Sequence, residues 1–268
     1  MKHAQVMTVV QWARGATWRI GLQHSRQKHA LIWITRGQGI AVIGGVRRGL
    51  GVHNALLIPA GTMFSLDMGK AGFGHVCEIS PDGMVTVPDR MQHLRIRDTA
   101  GQTELTAIFE AMQREQSGGR PFLDEALTVQ AQRLSVWLRR AMVEHRGEGK
   151  PSAGEKLAEA YAALIERDHM NGRAMAVYAR ALGVTPTHLT RVCKQVSGRT
   201  AAELQTERSL HAAREMLEDT ELPVGRIASG LGFGSAAYFS RFILHHTGQS
   251  PSALRNKAAT RPTVTRAL

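Results

Sequence analysis

One short pattern occurs twice in the last hundred or so residues, and no other feature restricts the possible folds as tightly. The first copy runs Tyr178-Ala179-Arg180-Ala181-Leu182-Gly183-Val184, then Leu189-Thr190-Arg191 and Ser197-Gly198. The second runs Ile227-Ala228-Ser229-Gly230-Leu231-Gly232-Phe233, then Phe239-Ser240-Arg241 and Thr247-Gly248, about fifty residues later. Each copy reads as a helix, a tight turn and a second helix. The small Ala permits close helix crossing, and the Gly can adopt the left-handed backbone of the turn. A hydroxyl cap opens each second helix: Thr185, with Pro186 at the first helical position, and Ser235.

Periodicity divides the second helices into faces. Leu189, Val192, Cys193 and Val196 recur at i, i+3, i+4 and i+7, as do Phe239, Phe242, Ile243 and His246. These positions are expected to face inward. Thr187, Thr190, Arg191 and Lys194 are then outward in the first unit, and Ser235, Ala236, Ala237, Ser240 and Arg241 in the second. A recognition helix offers such positions to a DNA major groove. Between the units, Ala201 to Leu217 contains neither Gly nor Pro and predicts one uninterrupted helix of about 25 Å. With the flanking helix widths, the two recognition helices come about one DNA turn, roughly 34 Å, apart. Cys193 shares the phase of Leu189 and reads as core. His245-His246 reads as a helix C-terminal feature favoured by the dipole.

Over about Glu155 to Asn256 the chain resembles the AraC/XylS family of bacterial transcription regulators. The resemblance rests on Ile227 to Phe233, Tyr238-Phe239-Ser240-Arg241 and Gly248-Gln249-Ser250-Pro251. It implies that the outward residues above contact DNA, and it makes RNA polymerase a further candidate partner. After Arg241 the family usually carries an aromatic and one or two basic residues. This chain has Phe242-Ile243-Leu244-His245-His246, which implies a weaker phosphate grip by the second unit.

The first hundred residues predict a small β-barrel. Apolar runs at Ala30 to Thr35, Ile40 to Ile43, Ala55 to Ile58 and Phe73 to Ile79 are bounded by Gly37, Gly39, Gly44-Gly45, Pro59 and Gly61. The stretches Leu31 to Gly39 and Leu57 to Gly61 resemble the cupin-like sensor domains at the N-terminus of many AraC-type regulators. A barrel mouth suits a small-molecule effector, with Trp18, Trp33, Phe64 and His75 as candidate lining. Two helices follow. One, near Glu104 to Glu115, presents Leu105, Ile108, Phe109 and Met112. The other, Pro121 to Glu144, carries a narrow stripe including Leu127, Leu134 and Leu138, read as a homodimer seam.

An α+β chain results: a cupin-like sensing and dimerisation domain (1–146), a Gly- and Pro-rich linker (147–154) and an all-α double helix-turn-helix domain (155–258). The rival reading is a small-molecule-binding or enzymatic cupin with a helical scaffold. An enzymatic cupin of the metal-binding kind would need a His-x-His pair with a later Glu and His. Here His24 and His29 are five apart, Met63-Phe64 follows Thr62, and His75 and Glu78 face opposite ways in a regular strand. No metal, cofactor or catalytic residue is therefore expected. The net charge of +12 suits a polyanion, although +7 falls in residues 1–150 and +5 in 151–268, so charge does not locate the partner. Two distant cysteines, no long apolar run and no basic-then-apolar N-terminus point to a soluble cytoplasmic protein without a disulfide framework.

Overall fold

Residues 3–144 and 150–259 are described by the structure, a computed structural model. The N-terminal half holds β1 (Ala4–Thr8), α1 (Val9–Trp12), α2 (Trp18–Gly21), β2 (His29–Arg36), β3 (Gly39–Ile43), β4 (Val46–Leu50), β5 (Asn54–Ile58), β6 (Phe64–Asp67), β7 (Phe73–Ile79) and β8 (Gln92–Arg95). All strand pairs are antiparallel. They form a five-stranded sheet ordered β1-β7-β2-β5-β8 and a three-stranded sheet ordered β4-β3-β6. Two layers of side chains follow from the two-residue period of the central strand β2. Ala30, Ile32 and Ile34 point between the sheets and join Trp12, Ile43, Phe64 and Val76 in one core. Leu31 and Trp33 point the other way, into a second core under α3 (Thr99–Ser117) and α4 (Leu123–Glu144). Both faces of β2 are thus covered, so its sequence is apolar almost without interruption.

This layering corrects two expectations. Leu127, Leu134 and Leu138 are buried against α3 and the sheet within the same chain, so they cannot also form a seam with a second copy. The physical reason is that the five-stranded sheet has an apolar outer face, and the stripe on α4 covers it. The proposed pocket lining also disperses. Trp33 and His75 are paired across β2 and β7 and face the helices, with Trp33 Nε1 donating to Thr106 Oγ1 (3.3 Å) and His75 packed near Phe109. Phe64 lies between the sheets and Trp18 on α2 meets the C-terminal half, so the four line no common pocket.

The C-terminal half comprises α5 (Ala153–Asp168), a 3-10 turn (His169–Asn171), α6 (Met175–Ala181), α7 (Pro186–Ser197), α8 (Ala201–Asp219), α9 (Val224–Gly230), α10 (Ala236–Thr247) and α11 (Pro251–Ala259). Of the expected linker, residues 147–149 lie outside the described residues. Its last part already belongs to α5, because Ser152 and Glu155 form a reciprocal capping box. The halves share a core: Val42 and Met63 are packed with Tyr161, Leu189 and Cys193. At the β3–β4 turn, Gly45 (φ +75°) lets the backbone approach α5, where a Cβ would sit 2.8 Å from the Ala158 carbonyl oxygen. Among the described residues no helix is long and apolar enough to cross a membrane.

Leu134→Ala should therefore act on folding and leave association untouched. We expect a loss of about 2–5 kcal/mol in chemical denaturation, the range for truncating a fully buried Leu, with no change in sedimentation of the folded fraction.

Candidate nucleic-acid interface

The two helix-turn-helix units have the same construction. In the first, Gly183 (φ +68°) turns the chain from α6 into α7, and Thr185 Oγ1 accepts from the His188 backbone N–H (3.2 Å). In the second, Gly232 (φ +73°) leads from α9 into α10, and Ser235 Oγ accepts from the Tyr238 N–H (3.1 Å). Both recognition helices end on a left-handed glycine, Gly198 and Gly248. Leu189, Val192 and Cys193 are buried beneath α7, and Phe239 and Ile243 beneath α10. Val196 and Phe242 are half-buried. His246 departs from the expected inward phase: it is exposed, with its ring 4.7 Å from that of Phe242. His246 lies in the last turn of α10 and is not part of the core of the second unit.

The outward sets stand where the periodicity put them. Thr187, Arg191 and Lys194 are exposed on α7 and Thr190 is half-exposed. Ser235, Ala236, Ala237 and Arg241 are exposed at α10, with Ser240 half-exposed. Met175, Pro186, Thr187, Thr190, Arg191, Lys194, Gln195 and Thr200 line an open, mostly apolar cleft beside α7. Arg191 is oriented by its own helix, Nη2 lying 3.2 Å from His188 Nδ1, and Lys194 Nζ is 3.9 Å from Glu203. At the register of the repeat, Lys194 is matched by Leu244 and Thr187 by Ala237, so the second surface is less charged and less polar. Exposed His188, Gln195 and Tyr238 share these faces and were not singled out by sequence. Their offset from the named residues within the repeat is the signal that could have found them.

Burial holds the Cys193 thiol up at about 11, which makes it an inert part of the first unit's core. Cys77 is also buried and its thiol is pushed well above the ordinary range. Among the described residues no group of three or more His, Cys, Asp or Glu is placed to hold a metal. Glu78, on the face of β7 opposite His75, accepts instead from Trp12 Nε1 (2.7 Å) and Gln5 Nε2 (2.6 Å).

Residues 178–257, which hold both units, match the helix-turn-helix domain family. The chain is 32% identical over 139 residues to the HTH-type transcriptional regulator GlxA of Rhizobium meliloti (strain 1021), covering 48% of this chain and 42% of that protein. It is 34% identical over 71 residues to the bifunctional transcriptional activator/DNA repair enzyme AdaA of Bacillus subtilis (strain 168), covering 26% of this chain and 34% of that protein. The matches thus span less than half the length of either relative. Among solved structures, ToxT from Vibrio cholerae O395 aligns over 97% of this chain and 100% of its own, at 14% identity and a TM-score of 0.42.

The two turn glycines differ in surroundings. A Cβ on Gly183 meets open space, whereas one on Gly232 would overlap the backbone of Gly172, where the 3-10 turn abuts the second unit. Gly183→Ala should cost about 1–2 kcal/mol from the left-handed backbone alone. Gly232→Ala should cost clearly more, read as the larger drop in denaturation midpoint.

Proposed function

We propose that the protein is a sequence-specific DNA-binding transcription regulator whose α7 and α10 enter successive major-groove segments. The observation that carries this reading is the duplicated recognition helix. Two helices with matching caps, cores and outward faces are joined by α8, whose 19 residues span about 28 Å. That length suits two readers about one DNA turn apart. In this reading Arg191 pairs with a guanine edge or a phosphate, Lys194 with phosphate, and Thr187 and Thr190 with bases or backbone. Ser235, Ala236, Ala237, Ser240 and Arg241 make the second, weaker contact, in which Ala237 touches a thymine methyl group.

The N-terminal half (1–146) is the effector-sensing part of this proposal. The space between its sheets is filled by Trp12, Ile32, Phe64 and their neighbours, so an effector bound there must displace side chains.

Self-association belongs to the same proposal, on a different face of α4 from the leucine stripe. Val129, Val136 and Val143 are exposed at intervals of seven, flanked on that side by exposed Glu125 and Arg140. In an antiparallel pair of α4 helices, Val129 of one copy meets Val136 of the other. The apolar stripe is thus complementary to itself.

Selection of bound fragments from a genomic DNA library tests the DNA reading, and failure to enrich any sequence would refute it. On a selected site, Arg191→Ala should weaken binding by about 1–3 kcal/mol and flatten the preference at one base pair. Arg241→Ala should weaken binding across sequences with little change in preference. Val136→Glu should turn dimers into folded monomers in sedimentation equilibrium, and a dimer that persists would remove α4 from the interface.

A further inference from the structure

The two halves meet along α8 through a stack of rings drawn from both. The Arg214 guanidinium on α8 lies 4.3 Å from the centre of the Trp18 ring, and Trp18 lies 5.3 Å from His211. His211 stacks on His24 at 4.5 Å and 10°, and His24 lies 4.2 Å from Phe64 of the inter-sheet core. Ion pairs flank the stack. Arg19 of α2 donates to both carboxylate oxygens of Asp219 (2.9 and 2.5 Å). Glu166 of α5 accepts from Ser25 Oγ (2.7 Å) and from Arg208 Nε and Nη2 (2.6 and 2.9 Å).

The imidazole pair is the exceptional part of this contact. His24 is 1% exposed and His211 5% exposed, and each comes from a different half. His24 Nδ1 lies 2.9 Å from the Leu22 carbonyl and His211 Nε2 3.2 Å from the Arg19 carbonyl, so each ring donates its single N–H to the backbone. The remaining nitrogens, His24 Nε2 and His211 Nδ1, have no hydrogen-bond partner. That arrangement suits two neutral rings. A second proton on either would place a buried N–H without an acceptor and a positive charge against the other ring.

We propose that His24 and His211 form an acid-released latch: the N-terminal half stays docked on α8 while both rings are neutral, and protonation of either one separates the halves. The surrounding charges favour this direction. Arg26 and Arg208 oppose protonation of both rings, and Arg19 opposes that of His211. Arg19 and Arg208 are paired with Asp219 and Glu166. The nearest compensating carboxylate, Glu215 on α8, lies 4.0 Å from His211 Nδ1 and is exposed. His169, in the 3-10 turn against Glu166 and Arg208, is itself held below its ordinary value by burial.

Burial, then the neighbouring ring and arginines, lowers His24 well below the usual 6.5, and burial with Arg208 lowers His211 to about 3. The docked form therefore binds fewer protons than the undocked one, in which both rings titrate near 6.5. Docking keeps its full strength above about pH 6.5 and weakens as pH falls below it. Glu207, beside Arg199 on the same contact, works oppositely: burial raises it to about 7, so acid relieves a cost there. It cannot be the source of acid release.

The test is a distance measurement on the full chain. Spin labels on Val52→Cys and Leu244→Cys, both exposed, report the separation of the halves, and the buried Cys77 and Cys193 stay unlabelled. Labelled chain is diluted with unlabelled chain so that only distances within one molecule are read. One distance is expected at pH 8. Below pH 6.5 a longer population should grow; each ring raises its ratio to the docked form about ten-fold for each pH unit, and Glu207 offsets about one ring's worth of that rise. His24→Asn with His211→Gln keeps the backbone hydrogen bonds without a titrating ring, and should stay docked to pH 5. A wild-type distance unchanged to pH 5, or the same opening in the double variant, would overturn the latch. So would loss of helical circular dichroism over the same range, which would mean unfolding. If the double variant is already undocked at pH 8, each single variant must show a weaker proton dependence than the wild type, and an unchanged dependence likewise overturns it.

Discussion

Burial of α8 on several sides at once is the constraint around which the rest of the molecule is arranged. Its first turns carry Ala201 and Leu204 into the core of the first helix-turn-helix unit. Its later turns carry Leu210, Ala213 and Leu217 into the core of the second. On a third side His211 meets His24 and Arg19 of the N-terminal half and Arg208 reaches Ser25 through Glu166, and both α8 residues are buried. A helix of 19 residues has enough circumference for three contacts only because successive residues step 100° around the axis. The cost is that its interior must include polar groups, which need partners from two other segments.

That cost shapes the contact between the halves. Glu166 gathers donors from both halves and Asp219 takes its donors, Arg14 and Arg19, from the N-terminal half, so each carboxylate has all these partners only when the halves are together. An arrangement of this kind contributes little net stability, because the charges lose hydration on docking. It does make the docked geometry specific: a shift of α8 against α2 leaves arginines and carboxylates unpaired. The N-terminal half touches both reading units, through Val42 and Met63 on the first and Leu22 on the second. Any rearrangement there has a mechanical route to the spacing of α7 and α10.

The strands legible in the sequence were those buried on both faces, β2, β3, β5 and β7, because continuous apolar runs announce themselves. Strands β1, β4, β6 and β8 escaped notice. Val46-Arg47-Arg48-Gly49-Leu50 contributes only its ends to a core, and Gln92-His93-Leu94-Arg95 contributes Leu94. Short helices α1 and α2 were hidden as well, since four residues give no period to detect. For α4, period alone showed an apolar stripe but not what would cover it. The stripe was assigned to a second copy, whereas the outer face of the sheet in the same chain takes it.

The sequence by itself determined the tandem helix-turn-helix domain and the outward residues of α7 and α10. Every rule involved there is local: a cap, a left-handed glycine and a 3.6-residue period act within a dozen residues. Tertiary structure alone decided the rest. It sent Trp33 and His75 to the helical layer, Phe64 between the sheets and Trp18 to the domain contact. It also brought His24 against His211, residues separated by most of the chain. Such pairings depend on which faces remain to be covered once the local elements have formed, and that competition involves the whole chain at once.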